Sequence, residues 1–223
     1  MGDSKYSKLL TVILVIVVIG VIILLGFLGF DVYKKFTTKK EVAQMLDQYD
    51  TALNTVSNDS TNSSDELPDV IAEPSQNDIG NSNGSQTARV TYKGYNVEGK
   101  IEIPAINLEY PILEKTTPSS IEVAVAIMYS ANGLNQPGNT VIAGHNYRNG
   151  SFFGNNDKLK LGDKIYITDN SGTKIKYNIY NIYETSPDDS DFIMRDTNGK
   201  REVSLSTCTD NSKARLIIWA VEE

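Results

Sequence analysis

The spacing of apolar and polar positions changes three times along the chain. Residues 9–30 are an unbroken apolar run without a charge, Thr11 being its only hydroxyl. As a helix, this run covers about 33 Å, slightly more than a hydrocarbon core of about 30 Å, and it predicts a membrane span. A cleaved signal peptide is the alternative reading. The run exceeds the usual apolar region of such peptides and no A-x-A-like site follows it, which favours a retained anchor. Between residues 41 and 53, Val42, Met45, Leu46, Tyr49 and Leu53 fall at helical spacing. They predict a short amphipathic helix whose apolar face is available to lipid headgroups or to a neighbour. Composition then shifts. Residues 57–64 and 81–85 are Asn/Ser-rich, low in complexity and too polar to form a core, and so read as a tether.

Past Arg89 the apolar spacing shortens to that of strands. Runs at 96–103, 110–113, 140–143, 164–168, 174–184, 202–207 and 216–221 are separated by turn signals. Asp169-Asn170-Ser171-Gly172 predicts a hairpin turn, and Thr197-Asn198-Gly199 another turn ahead of the 202–207 run. Thr117-Pro118-Ser119 followed by Glu122 predicts a helix over 119–129. A mainly β domain is expected, as a closed sheet or a sandwich with one or two short helices.

The 223 residues, 40% hydrophobic, can bury one sizeable core once anchor and tether are set aside. A net charge of −7 and a pI near 4.8, with no basic stripe, argue against nucleic acid as a partner. The single cysteine excludes an intramolecular disulfide, and a free thiol in an exported protein is a reason to look for chemistry.

That cysteine, Cys208, sits where the 202–207 run gives way to a polar loop, and Arg215 stands where the next run begins. The single histidine, His145, closes the run Thr140-Val141-Ile142-Ala143-Gly144-His145. The thiolate is the nucleophilic form, so a catalytic cysteine needs a basic partner or a cation nearby. Cys208 as nucleophile, His145 as proton carrier and Arg215 as oxyanion donor form a candidate set for acyl transfer. The plainer readings are a buried structural cysteine, a satisfied histidine and a strand-end charge.

Ser204-Leu205-Ser206-Thr207-Cys208 resembles the T-L-x-T-C signature of sortases, with a serine at the first position. Ala143-Gly144-His145 resembles the histidine strand of that family, Arg215-Leu216-Ile217-Ile218-Trp219-Ala220 its arginine strand, and Gly99-Lys100-Ile101-Glu102-Ile103-Pro104 its first barrel strand. These segments follow family order. The resemblance implies a sortase-like β-barrel over 89–223 and a cysteine transpeptidase in which Cys208, His145 and Arg215 carry the reaction. An LPxTG-like sorting signal on an exported protein would be cut between Thr and Gly, and the acyl group passed to a cell-wall amine.

The resemblance also implies a cell-membrane enzyme of single-pass topology: residues 1–8 cytoplasmic, 9–30 the anchor, 31–88 a juxtamembrane helix and linker, and the barrel extracytoplasmic. The lysine distribution points the other way, with Lys5 and Lys8 before the span and Lys34, Lys35, Lys39 and Lys40 after it. Long domains translocate largely regardless of such charges. No second apolar segment and no Asp-Pro-aromatic motif before the barrel are seen, so the resemblance is to class A or D rather than to pilin-type members. No cofactor is expected. Calcium, used in part of the family, would have to draw on Glu102, Glu109 and Glu114, whose spacing forms no cage. A hydrolytic cysteine peptidase and a non-catalytic anchored β-domain remain the alternatives.

Overall fold

The computed structural model describes residues 3–59, 90–147, 149–209 and 213–223. Of the tether expected at 57–64 and 81–85, residues 57–59 continue the N-terminal helix instead, and the rest lies outside the described residues, as do positions 210–212 of the loop after Cys208. The chain divides into two compact units, Met1–Ala43 and Gln44–Glu223.

Helix α1 spans Asp3–Asp59. Within the first unit, Lys8–Phe27 is long and apolar enough to cross a membrane. Its side chains from Leu9 to Phe27 are exposed throughout, as those of a helix solvated by lipid would be.

In the second unit, the remainder of α1 packs on a barrel of strands. Among the described residues nine strands follow: β1 Val90–Tyr92, β2 Tyr95–Ile103, β3 Leu108–Leu113, β4 Val125–Ser130, β5 Gly138–Ala143, β6 Lys164–Asp169, β7 Lys174–Thr185, β8 Arg201–Cys208 and β9 Arg215–Glu222. Their order is β1-β2-β3-β4-β5-β8-β9-β7-β6, and β6 also pairs with β2, so β2 to β9 close into an eight-stranded barrel with β1 an added ribbon. The mainly β, closed-barrel class expected from the sequence is the one observed. Ile101, Ile112, Ile142, Ile165, Leu205 and Ile218 are all essentially inaccessible and fill the interior. Closure at the β2/β6 seam requires a bare backbone at Gly99, where a Cβ would lie 2.4 Å from the Thr168 carbonyl oxygen. The hairpin turn at 169–172 joins β6 to β7, with Gly172 at φ +82° and Asp169 Oδ1 accepting from the Ser171 and Thr173 amides.

The helix expected at 119–129 is corrected. Thr117 and Ser120 exchange side-chain-to-amide bonds of 3.0 and 2.8 Å, and the Ala124 amide reaches the Ser120 carbonyl, which closes about one turn. From Val125 the chain is strand β4, parallel to β3 and antiparallel to β5. The capping signal was real, but β-branched Val123, Val125 and Ile127 recur every second residue. Pairing on both edges completes the barrel and outweighs one further turn of helix.

The amphipathic face beyond the anchor finds its partner on the barrel. Met45, Leu46, Tyr49 and Leu53 are buried, Tyr49 completely. The Tyr49 hydroxyl donates to Asn170 Oδ1 at 3.1 Å, and Asp50 pairs with Lys100 Nζ on β2 at 2.8 Å. Burial, with Asp169 nearby, pushes the Tyr49 phenol far above its usual range. Tyr49→Ala in the full chain should therefore destabilise the barrel unit by about 3 kcal/mol, the usual cost of emptying a buried aromatic site. Urea unfolding followed by Trp219 fluorescence would measure it. An unchanged midpoint would mean that the helix does not support the barrel.

Candidate active site

Strand register brings the three candidate residues to one end of three adjacent strands. In the β8/β9 pair, Cys208 lies directly opposite Arg215. Opposed residues of an antiparallel pair have Cβ atoms about 4.5–5.5 Å apart, so the two side chains are neighbours. Strand β5 runs parallel to β8 with Ala143 beside Ser206, and two further residues on each carry the chain to His145 and Cys208. The parallel track is held past the end of β5. The Gly144 amide donates to the Ser206 carbonyl at 3.1 Å, Thr207 Oγ1 donates to the Gly144 carbonyl at 2.7 Å, and Asn146 Nδ2 donates to the Cys208 carbonyl at 2.8 Å.

Side-chain alternation sets the face. Leu205, Ile218 and Ile142 form one opposed row; Val141, Ser204 and Trp219 form the other, followed by Ser206 with Ile217 and then Cys208 with Arg215. The second row is the outer one. It carries a small apolar cluster of Val141, Ile217 and Phe192, with Met128, Tyr129, Tyr183, Ile193 and Trp219 packed against it. Phe192 and Ile193 belong to the loop between β7 and β8. Asn139 Nδ2 holds that loop through the carbonyls of both residues, at 3.0 and 2.8 Å. The Arg195 guanidinium stacks 4.0 Å above the Trp219 ring and pairs with Glu202 at 2.7 Å, both partners nearly buried. Cys208 and Arg215 thus stand at the end of an apolar strip roofed by the β7–β8 loop. Arg215 Nε donates to the Pro187 carbonyl of that loop at 3.1 Å.

His145 is about one-third exposed, and its Nε2 lies 3.0 Å from Glu122 Oε1. The other Glu122 oxygen accepts the Tyr147 hydroxyl at 2.5 Å, and the Tyr147 and His145 rings sit 5.1 Å apart. The Tyr147 hydrogen bond, aided by His145, holds the Glu122 carboxyl below its ordinary range; partial burial and the bond to Glu122 push the Tyr147 phenol up to about 12. Sequence reasoning had counted Glu122 only as a helix-opening residue and had given Tyr147 no role. Their convergence depends on the turn at 118–123 folding back over the end of β5, for which no short motif speaks.

Gly144 is needed for its size. A Cβ there would lie 2.7 Å from the Phe153 ring and 2.9 Å from Val125 Cγ1. Gly144→Ala should cost about 1–3 kcal/mol by overpacking and should lower activity more than stability by displacing the adjoining histidine. A thermal melt and a rate measurement on the same preparation would check both halves.

Of the acids named for calcium, Glu102 is paired with Lys174 at 2.8 Å and lies 3.8 Å from Lys100, and Glu114 accepts from Asn96 at 2.7 Å. Among the described residues, no cluster of three His, Cys, Asp or Glu side chains is placed to hold a metal.

With this geometry in hand, comparison with known proteins is decisive at the family level. A sortase-domain family model matches residues 101–223, more than half of the chain. The chain belongs to the sortase family. Sortase A of Bacillus anthracis is 32% identical over 137 residues, 60% of this chain and 63% of that protein. The chain therefore spans less than two-thirds of that relative. The solved sortase A of Corynebacterium diphtheriae aligns with a TM-score of 0.53 and 29% identity over 58% of this chain and 61% of that one. A Clostridium perfringens sortase D5 aligns over 83% of this chain and 97% of its own at a TM-score of 0.56; at 21% identity the likeness is one of fold. Sortases C also occur among the solved neighbours.

Proposed function

We propose that this sortase is a membrane-anchored cysteine transpeptidase of class A or D type that cleaves an LPxTG-like sorting signal and transfers the acyl group to a cell-wall amine. The observation that carries the reading is the register that sets Cys208 opposite Arg215 and alongside His145. In the proposed cycle the Cys208 thiolate attacks the Thr carbonyl carbon of the signal. Arg215 and nearby backbone amides stabilise the oxyanion. The C–N bond to Gly breaks as His145 gives its proton to the departing amine, leaving a thioester on Sγ. An acceptor amine then attacks the thioester, His145 takes back a proton, and a new amide leaves with the thiolate restored.

The core of the apolar strip is covered by the β7–β8 loop, so an extended peptide would lie on its partly exposed rim, which includes Met128, Tyr129, Tyr183 and Ile193. No metal takes part in the proposed chemistry. Residues 9–30 hold the enzyme in the membrane with the barrel outside the cell, an orientation that protease accessibility on intact cells would test.

The test of the reaction is product analysis. The full chain in detergent is offered LPxTG-type peptides with glycine-, alanine- or diaminopimelate-type amines, and products are identified by mass. New amides are expected in preference to free acid, because an amine seated beside His145 has a proximity that bulk water lacks. Hydrolysis alone with every acceptor would make the protein a cysteine peptidase. An inert thiol would favour a non-catalytic domain.

A further inference from the structure

We propose that Glu122 is a positioning residue for His145, accepting the Nε2–H of the imidazole and so fixing both the ring and its tautomer, with Nδ1 left as the nitrogen that exchanges protons in acyl transfer. This rests on the transpeptidase reading of the same site and adds to it a residue from a different part of the chain.

The geometry is that of a three-point clamp. Glu122 Oε1 lies 3.0 Å from His145 Nε2, Glu122 Oε2 accepts the Tyr147 hydroxyl, and the Tyr147 ring packs beside the imidazole. Tyr147 is itself held at a ring-centroid distance of 5.4 Å from Phe152, which lies 5.2 Å from Tyr110 on β3. The carboxylate is thus tied to the barrel wall through an aromatic chain. A backbone bond from the Phe153 amide to the His145 carbonyl at 3.0 Å fixes the other side of the residue. The titratable groups in contact with His145 are Glu122 from the turn before β4 and Tyr147 from the loop after β5; Cys208 follows on β8, the strand paired with β5, and Arg215 one strand further on β9.

The physical consequence follows from the two ring nitrogens being distinct. In neutral imidazole one nitrogen donates and the other accepts, and the hydrogen bond made by one sets the state of the other. An ionised carboxylate only accepts, so it selects Nε2–H and leaves Nδ1 the basic atom. After proton uptake Nδ1–H is the acid, while the Nε2–H bond to Glu122 stabilises the imidazolium. The Tyr147 hydrogen bond, aided by His145, holds Glu122 below its ordinary carboxylate range, so the acceptor is ionised at neutral pH.

The test combines kinetics with the spectroscopic advantage of a single histidine. Glu122 is mostly exposed, so Glu122→Ala should fold as the parent does. Its kcat for amine transfer should fall about tenfold or more, with the peptide KM changing less than about twofold, since proton transfer and not binding is impaired. Glu122→Gln keeps a carbonyl acceptor at the same reach and should recover part of the loss. In full-length protein labelled with ring-¹⁵N histidine, the neutral imidazole should show the Nε2–H tautomer in the parent and a mixture in Glu122→Ala. Unchanged or faster turnover in the alanine variant, or identical tautomers in both proteins, would overturn the proposal. The NMR arm needs no substrate, so a parent that fails to cleave any sorting peptide would sink the transpeptidase reading while the Glu122–His145 assignment is still decided on its own.

Discussion

Cys208→Ala is expected to reduce turnover to the detection limit while leaving the barrel folded. The two halves have different causes. The Sγ atom is asked to form the covalent bond on which the whole cycle depends, and no other thiol exists to replace it. Its contribution to stability is small, because Cys208 is only partly buried at the end of β8 and the removal of one atom there costs well under about 1 kcal/mol at the usual area coefficient. Intact-mass measurement makes the experiment sharp: one alkyl adduct per chain should coincide with complete loss of activity. Fully alkylated enzyme that still cleaves its peptide would remove Cys208 from the mechanism. A variant with an altered unfolding midpoint would show instead that the sulfur is part of the core.

Much of this was legible in the sequence because it depends on local pattern. The runs at 202–207 and 216–221 read as strands on either side of a short polar loop, which puts Cys208 at one strand end and Arg215 at the start of the next; their direct opposition comes from the pairing register. The apolar face of Met45, Leu46, Tyr49 and Leu53 was equally plain. Its partner was not, since the Tyr49 hydroxyl meets Asn170 from 121 residues away. Residues 119–129 failed for a related reason: the Thr117/Ser120 cap is a strong local signal, whereas the decision between helix and strand at Val125 is made by β3 and β5. Glu122 went unnoticed in its chemical role for the same cause. Contacts that depend on a turn folding over a distant strand end leave no periodic trace, and the clamp on His145 consists of such contacts.

Arg215→Lys should slow formation of the thioester by about 10²- to 10³-fold, the range seen when one oxyanion donor is lost. Charge alone would call the change conservative. The geometry does not, because Arg215 has two duties. Its Nε already donates to the Pro187 carbonyl at 3.1 Å, which fixes the plane of the guanidinium relative to the β7–β8 loop. The remaining donors of the planar fork are those proposed to meet the developing oxyanion beside Cys208. A lysine carries three donors on one rotating ammonium and cannot hold Pro187 and present an oriented pair elsewhere. Pre-steady-state release of the Gly-bearing product would measure the acylation step, with the rate of thiol alkylation as the control. Alkylation should change little, since it generates no carbonyl oxyanion. Parent-like acylation in the lysine variant would reduce Arg215 to a strand-end charge that ties β9 to the loop.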